Sequence, residues 1–223
     1  MVKLHTYNRD GKYIISGTIK EVRPGTGAGE GRVCNVKIEG AVWDQATQKQ
    51  HPETLDIAFW NSDAANRADD ALSKLEVGKF ASIMATKSED GKFTGLYTKK
   101  NGKWTFAETI DENGNVYAET NIFIGWVTSV SPYENKTGIS IPISIPDNEG
   151  NFNTEWIQIY IWNNERNPKI AQNAAMLLTP KEVEGSEQKL RKRIIIRCSD
   201  RKVYTTADGT EKSSYYGYAF EII

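Results

Sequence analysis

The chain has 223 residues, 39% of them apolar, enough for one large all-β core or two small ones. Its 28 Lys and Arg against 29 Asp and Glu leave a formal net charge of -1. That balance excludes an indiscriminately basic, histone-like protein, but not a local basic groove, because the field in a groove depends on nearby charges.

In chain order, Ile15 to Val22 is predicted as a strand interrupted by Gly17, and a glycine there marks a bulge or bend. The loop RPGTGAGEG follows. Arg32 to Glu39 alternates Cys34, Val36 and Ile38 on one face with Val33, Asn35 and Lys37 on the other. A third strand runs from Thr54 to Trp60. Ala64 to Leu75 reads as a helix with Ala64, Ala68, Ala71, Leu72 and Leu75 on one face and Asp63 as its cap. Val77 to Thr86 is a fourth strand, and a final pair of short strands spans Phe93 to Ile110. The polar, turn-rich segment 111–120 follows, with a linker expected at 113–117 between domains 1–112 and 118–223. The second half then offers strands at Ile122 to Val130, Ile139 to Ile145 and Trp156 to Trp162. A helix opening at Asn167-Pro168 comes next, then strands at Arg193 to Cys198 and Tyr215 to Ile223.

The halves repeat one another. IISGTIKEVRP (Ile14 to Pro24) aligns with IFIGWVTSVSP (Ile122 to Pro132), matching Gly17 to Gly125, Val22 to Val130 and Pro24 to Pro132. The third strands end in Trp60-Asn61 and Trp162-Asn163, each before a helix. FAETI and AFEII close the two copies. Three strands, a helix and two more strands is the order of the OB-fold, a five-stranded Greek-key barrel. The expected class is therefore all-β with a short helix per domain, as two tandem OB-folds.

On these segments, TEWIQIYIWNNE and LDIAFWNSDAANRA above all, the chain resembles bacterial and phage single-stranded DNA-binding proteins and the DNA-binding domains of replication protein A. The resemblance covers nearly the whole chain, twice. It implies binding of single-stranded DNA with little sequence selectivity, in replication, recombination or mobile-element transfer, and contact with proteins of replication or recombination. RNA is equally compatible, and a monomer or homodimer is expected. The acid-ended tail typical of the bacterial family has no counterpart in the closing YAFEII, so recruitment through such a tail is not expected.

In an OB-fold the outer face of strands two and three, with the 1-2 and 4-5 loops, is the usual oligonucleotide surface. Strand parity turns Leu55, Ile57 and Phe59 inward and Asp56, Ala58 and Trp60 outward; in the second copy Gln158, Tyr160 and Trp162 face out. Trp60 and Trp162 are each either a barrel-end plug or a base-stacking platform. Tyr160, among polar neighbours, is the better platform, and Trp126 is a further candidate. Arg32, Asn35 and Lys37 supply contacts from strand two. Two basic, aromatic segments are expected at the 4-5 hairpins, a composition suited to a single-strand groove. The first brings Lys92, Phe93, Tyr97, Lys99, Lys100, Lys103 and Trp104. The second brings Arg193, Arg197, Arg201, Lys202 and Tyr204, with Tyr215 on the closing strand.

PGTGAGEG (Pro24 to Gly31) lacks the Lys-Ser/Thr ending of a phosphate loop and lies between strands; a loop that closes over a bound strand is expected instead. Cys34 and Cys198 are far apart and form no CxxC, so buried thiols rather than a disulfide or zinc site are expected. The two histidines, His5 and His51, form no HxxxH, and no paired-carboxylate motif is present, so no enzyme, metal or cofactor is expected. The start has no apolar signal-like region and no segment approaches the ~20 apolar residues of a membrane span, giving a cytoplasmic expectation. A tandem OB-fold adaptor that binds protein without nucleic acid is the alternative.

Overall fold

The computed structural model describes residues 2–9, 11–26, 32–99, 101–106, 109–110, 113–114, 116–146, 149 and 151–223. It divides into two units, Met1–Lys100 and Asn101–Ile223. The chain is an all-β protein of the OB-fold class. No helix is long and apolar enough to cross a membrane among the described residues.

The first unit runs β1 (His5–Arg9), β2 (Lys12–Thr26), β3 (Arg32–Asp44), β4 (Lys49–Ser62), β5 (Ala65–Asn66), α1 (Arg67–Lys74), β6 (Phe80–Lys87) and β7 (Phe93–Lys99). The sheet order β2-β3-β4-β7-β6 returns to β2, closing a barrel of five strands in which β4 and β7 pair in parallel. One strand can serve both neighbours because β2 changes partner midway. Lys12 to Thr18 pairs with β6, and Thr18 to Thr26 with β3. Gly17 sits at that change. A Cβ there would lie 2.7 Å from Ile38 Cγ2 and 2.9 Å from the Glu39 carbonyl oxygen, so only glycine lets the bent strand approach β3. Ile15, Ile19, Val36, Ile38, Ile57, Phe59 and Ile83 fill the barrel against Ala68, Ala71 and Leu75. Each large side chain buried this way contributes about 1.5–3 kcal/mol. Cys34 lies in this core, and burial pushes its thiol up to about 11.

The second unit runs β8 (Gly102–Phe106), β9 (Thr109–Ile110), β10 (Val116–Tyr117), β11 (Thr120–Trp126), β12 (Ser129–Pro132), β13 (Lys136–Pro146), β14 (Phe152–Trp162), α2 (Ile170–Leu178), β15 (Lys181–Val183), β16 (Ser186–Leu190), β17 (Arg193–Thr205) and β18 (Glu211–Ile222). Its main sheet has the order β12-β13-β14-β18-β17-β11-β8, again with a parallel pair, β14 and β18. Here β11 pairs with β17 and β12 with β13, so consecutive short strands divide the partners that β2 takes in one run. Gly125 repeats the device: a Cβ would lie 2.5 Å from Ile141 Cγ2. Phe123, Ile139, Ile141, Ile157, Ile159, Ile161, Ile194 and Ile196 form the core under Ile170, Ala174 and Leu178, with Cys198 buried among them.

Several expectations change. The fifth strand of the first unit is β7 itself, and the turn before it is 88–92. The segment at Gly102–Phe106, expected to close the first barrel, instead pairs with β11. It stands to β11 as β1 stands to β2: His5 pairs with Ser16, just before Gly17, and Gly102 pairs with Ile124, just before Gly125. Each unit therefore opens with an extra strand. The division falls between Lys100 and Asn101, ahead of the segment expected as linker, where β9 and β10 form a small hairpin. The helices start at Arg67 and Ile170, later than read from sequence, and Asp63 does not cap α1.

Candidate nucleic-acid interface

The cap of α1 comes from the Trp-Asn pair. Asn61 Oδ1 accepts from the Ala68 backbone N–H at 2.8 Å, and Asn61 Nδ2 donates to Asp69 Oδ2 at 2.9 Å. Asn163 Oδ1 accepts from the Ala171 N–H at 3.0 Å in the same way. Each asparagine satisfies an orphan donor in the first turn of the helix. The strand is thereby anchored to its helix, and the residue before the asparagine is forced to the opposite, outward face. Trp60 and Trp162 are accordingly 41% exposed and lie outside the two cores, which removes the plug reading.

In the second unit the outer face of β14 carries Phe152, Trp156, Gln158, Tyr160 and Trp162 at alternating positions. Trp156 is 62% exposed. Cross-strand register extends two rows over this face. Ser140, Gln158, Ser214 and Lys202 stand side by side in one, and Gly138, Tyr160 and Tyr216 in the next. A Cβ on Gly138 would come within 3.2 Å of Tyr160 Cε1, so the glycine leaves the space in which the ring lies against the sheet. Lys136 pairs in register with Trp162, and its Nζ lies 4.8 Å from that ring centroid, 4.6 Å from Tyr160 and 5.2 Å from Tyr133. Such cation–π contacts hold rings and charge together. Burial, with Tyr204 and Tyr133 nearby, raises the Tyr160 phenol above its ordinary value, so it remains neutral. A groove of about 490 Å³ on this face is lined by Tyr133, Trp156, Gln158, Tyr160, Tyr204 and Lys212, and also takes in Glu155 and Glu211.

The β17–β18 hairpin extends past the barrel, pairing Arg201 with Tyr215, Lys202 with Ser214 and Tyr204 with Lys212. Arg201, Lys202, Tyr204 and Lys212 are exposed, and the three cations have no ion-pair partner among the described residues. Of the basic, aromatic segment expected here, Arg201, Lys202 and Tyr204 fall on this hairpin.

The first unit presents a different face. Its rows are Glu21, Lys37 and Asp56; then Arg23, Asn35 and Ala58; then Gly25, Val33 and Trp60. Lys37 Nζ lies 4.0 Å from Glu21 and 3.8 Å from Asp56, and Arg23 lies 2.8 Å from Glu21. Arg32 reaches Asp69 at 3.3 Å, and Lys92 reaches Asp90 at 2.6 Å. Asn35 is exposed beside these pairs, and Tyr97 is exposed on β7. Cations already matched by carboxylates have less to offer a phosphate.

Other expected contacts lie elsewhere. Phe93 is in the first core, edge-on to Tyr13, because β7 turns it inward beside Ile57. Trp104 is buried beside Ile122, since β8 joins β11. Tyr215 is buried in the second core, and its hydroxyl accepts from Lys103 Nζ at 2.8 Å. Lys103 also lies 4.9 Å from the Tyr215 ring and 5.8 Å from Phe123, so it braces the barrel rather than a ligand. Lys99 lines a cavity of about 170 Å³ with Ile19, Leu75 and Phe80, and burial lowers its pKa. Arg193 donates from Nε to Asn101 Oδ1 at 3.0 Å, opposite the exposed Trp126, and burial lowers its pKa. Arg197 stacks over Tyr218 at 5.4 Å. Lys100 and residues 27–31 of the expected closing loop lie outside the described residues. Tyr133, Lys136, Trp156 and Lys212 were not anticipated. Parity along β14 points to Trp156, but Lys136 is legible only once its register with Trp162 is known.

Cys34 and Cys198 are buried free thiols. Among the described residues no group of at least three His, Cys, Asp or Glu is placed to hold a metal.

No protein-family model matches the chain, and no curated protein matches its sequence. Among solved structures it is similar to the wild-type single-stranded DNA-binding protein from Thermus aquaticus, with 8% identity and a TM-score of 0.31 over 100% of this chain and 94% of that one. It is also similar to a deletion mutant of that protein, with 10% identity and a TM-score of 0.30 over 100% of this chain and 96% of that one. At so loose an overlay, function rests on the chain's own surface.

Proposed function

We propose that this protein is a non-enzymatic binder of single-stranded DNA built as two OB-folds in tandem, with the second unit as the main binding surface. The carrying observation is the outer face of β14, where Trp156, Tyr160 and Trp162 stand with Lys136 beside Arg201, Lys202 and Lys212, which have no ion-pair partner among the described residues. Every base has a π-face, so such rings stack on bases with little regard to sequence, while Arg201, Lys202 and Lys212 neutralise phosphates. Replication, recombination and mobile-element transfer are the settings in which such strands arise. The test is fluorescence anisotropy of labelled oligo-dT over a salt series. Log affinity should fall linearly with log salt, with a slope of about -0.7 per neutralised phosphate. Absence of binding at micromolar protein would refute the proposal.

The adaptor reading finds its one favourable observation in the first unit, whose outer face is charge-matched yet keeps Trp60 exposed. Reversal of Arg201, Lys202 and Lys212 to Glu separates the readings. DNA binding should collapse, whereas a protein contact through the first unit should persist.

A further inference from the structure

The groove on β14 is lined by the Gln158 amide, whose carbonyl end lies toward Ser140. Ser140 Oγ can only donate to Gln158 Oε1, and does so at 2.8 Å. That draws the carbonyl end of the amide toward β13. Gln158 Nε2 has no partner among the described residues. It lies over Gly138, where a Cβ would come within 3.1 Å of it, so the glycine leaves room for this amino group beside the edge of the Tyr160 ring. By strand parity Gln158 stands between Trp156 and Tyr160, all three on the outer face and all lining the same groove. A base stacked on either ring would turn an edge toward an NH2 group presenting two donors.

From this we infer that Gln158 is a specificity-determining residue that favours thymine over cytosine; the inference rests on the single-strand binding proposed above. Thymine carries ring carbonyls at both O2 and O4, so either side of its pairing edge offers an acceptor. Cytosine replaces O4 with an amino donor, which faces the Gln158 amino group donor to donor. The site thus adds a modest edge preference to a sequence-tolerant surface.

The experiment compares oligo-dT and oligo-dC of equal length by anisotropy with wild type, Gln158→Ala and Gln158→Glu. The change in the dT/dC ratio between wild type and Gln158→Ala reports the edge, because any difference in self-stacking of the two oligonucleotides is common to both proteins. Wild type should bind oligo-dT about 2- to 12-fold more tightly than oligo-dC, the value of one net hydrogen bond. Gln158→Ala should lower the ratio by about 2- to 12-fold. Gln158→Glu, which presents only acceptors, should weaken both and shift the ratio toward oligo-dC. A wild-type ratio of one, or a wild-type ratio retained in Gln158→Ala, overturns the inference while leaving single-strand binding intact. Failure of wild type to bind either oligonucleotide overturns both.

Discussion

Gly138, Lys136 and Tyr160 show how a few positions turn a sheet surface into a stacking platform: a missing Cβ gives the ring room, and an ammonium steadies it. Removing a ring that stacks on a base costs about 1–3 kcal/mol, or roughly 5- to 150-fold in affinity. Tyr160→Ala and Trp162→Ala should each show such a loss by anisotropy with folding unchanged by circular dichroism. Trp60→Ala should lose less, because its strand neighbours Ala58 and Asp56 offer no second ring. The thiols make a separate prediction. Burial raises both Cys34, to about 11, and Cys198, so both stay protonated in the folded protein where an unfolded thiol would ionise. Their contribution to stability is complete below the ordinary thiol pKa, near 8.5, and is lost as pH rises through the folded value. A disulfide exchange reagent at pH 8 should therefore label neither cysteine until denaturant is added; rapid labelling of the folded protein would contradict the burial.

At the scale of elements, the Trp-Asn ending links each third strand to its helix. Asn61→Ala and Asn163→Ala should each destabilise by about 1 kcal/mol, the usual cost of losing a helix cap, read from urea unfolding. Parity along β14 was legible in the sequence, as were the bent first strands at Gly17 and Gly125. What was not legible depends on distant pairing. Phe93 and Trp104 sit in a basic, aromatic segment and Tyr215 on the closing strand, all expected as ligand surface, yet each is turned inward by the strand it pairs with. Composition cannot reveal that turn. Phe93→Ala should consequently cost about 3–5 kcal/mol of stability, whereas a surface platform would show a loss of affinity with little change in unfolding midpoint.

At the scale of the whole molecule, the correspondence of strand pairing around Gly17 and Gly125 extends further back than the sequence suggested. A pattern of alternation marks Gly102–Phe106 as a strand but cannot say which sheet it joins; its pairing with β11 places it in the second unit. Residues 101–223 should therefore fold alone, while residues 118–223, lacking β8, should be markedly less stable in thermal melts. Equal melting of the two fragments would count against β8 as a part of that unit. The units also differ in charge: carboxylates match the cations on the first face, whereas Arg201, Lys202 and Lys212 of the second have no ion-pair partner among the described residues.

That asymmetry makes the second face the central claim. It is tested most directly by titrating labelled oligo-dT with wild type, the double variant Tyr160→Ala/Trp162→Ala and Trp60→Ala under one salt condition. The structure predicts a loss of at least about tenfold in the double variant, in keeping with two stacking rings, and a clearly smaller loss in Trp60→Ala. Wild-type affinity in the double variant, or a larger loss in Trp60→Ala, would contradict it.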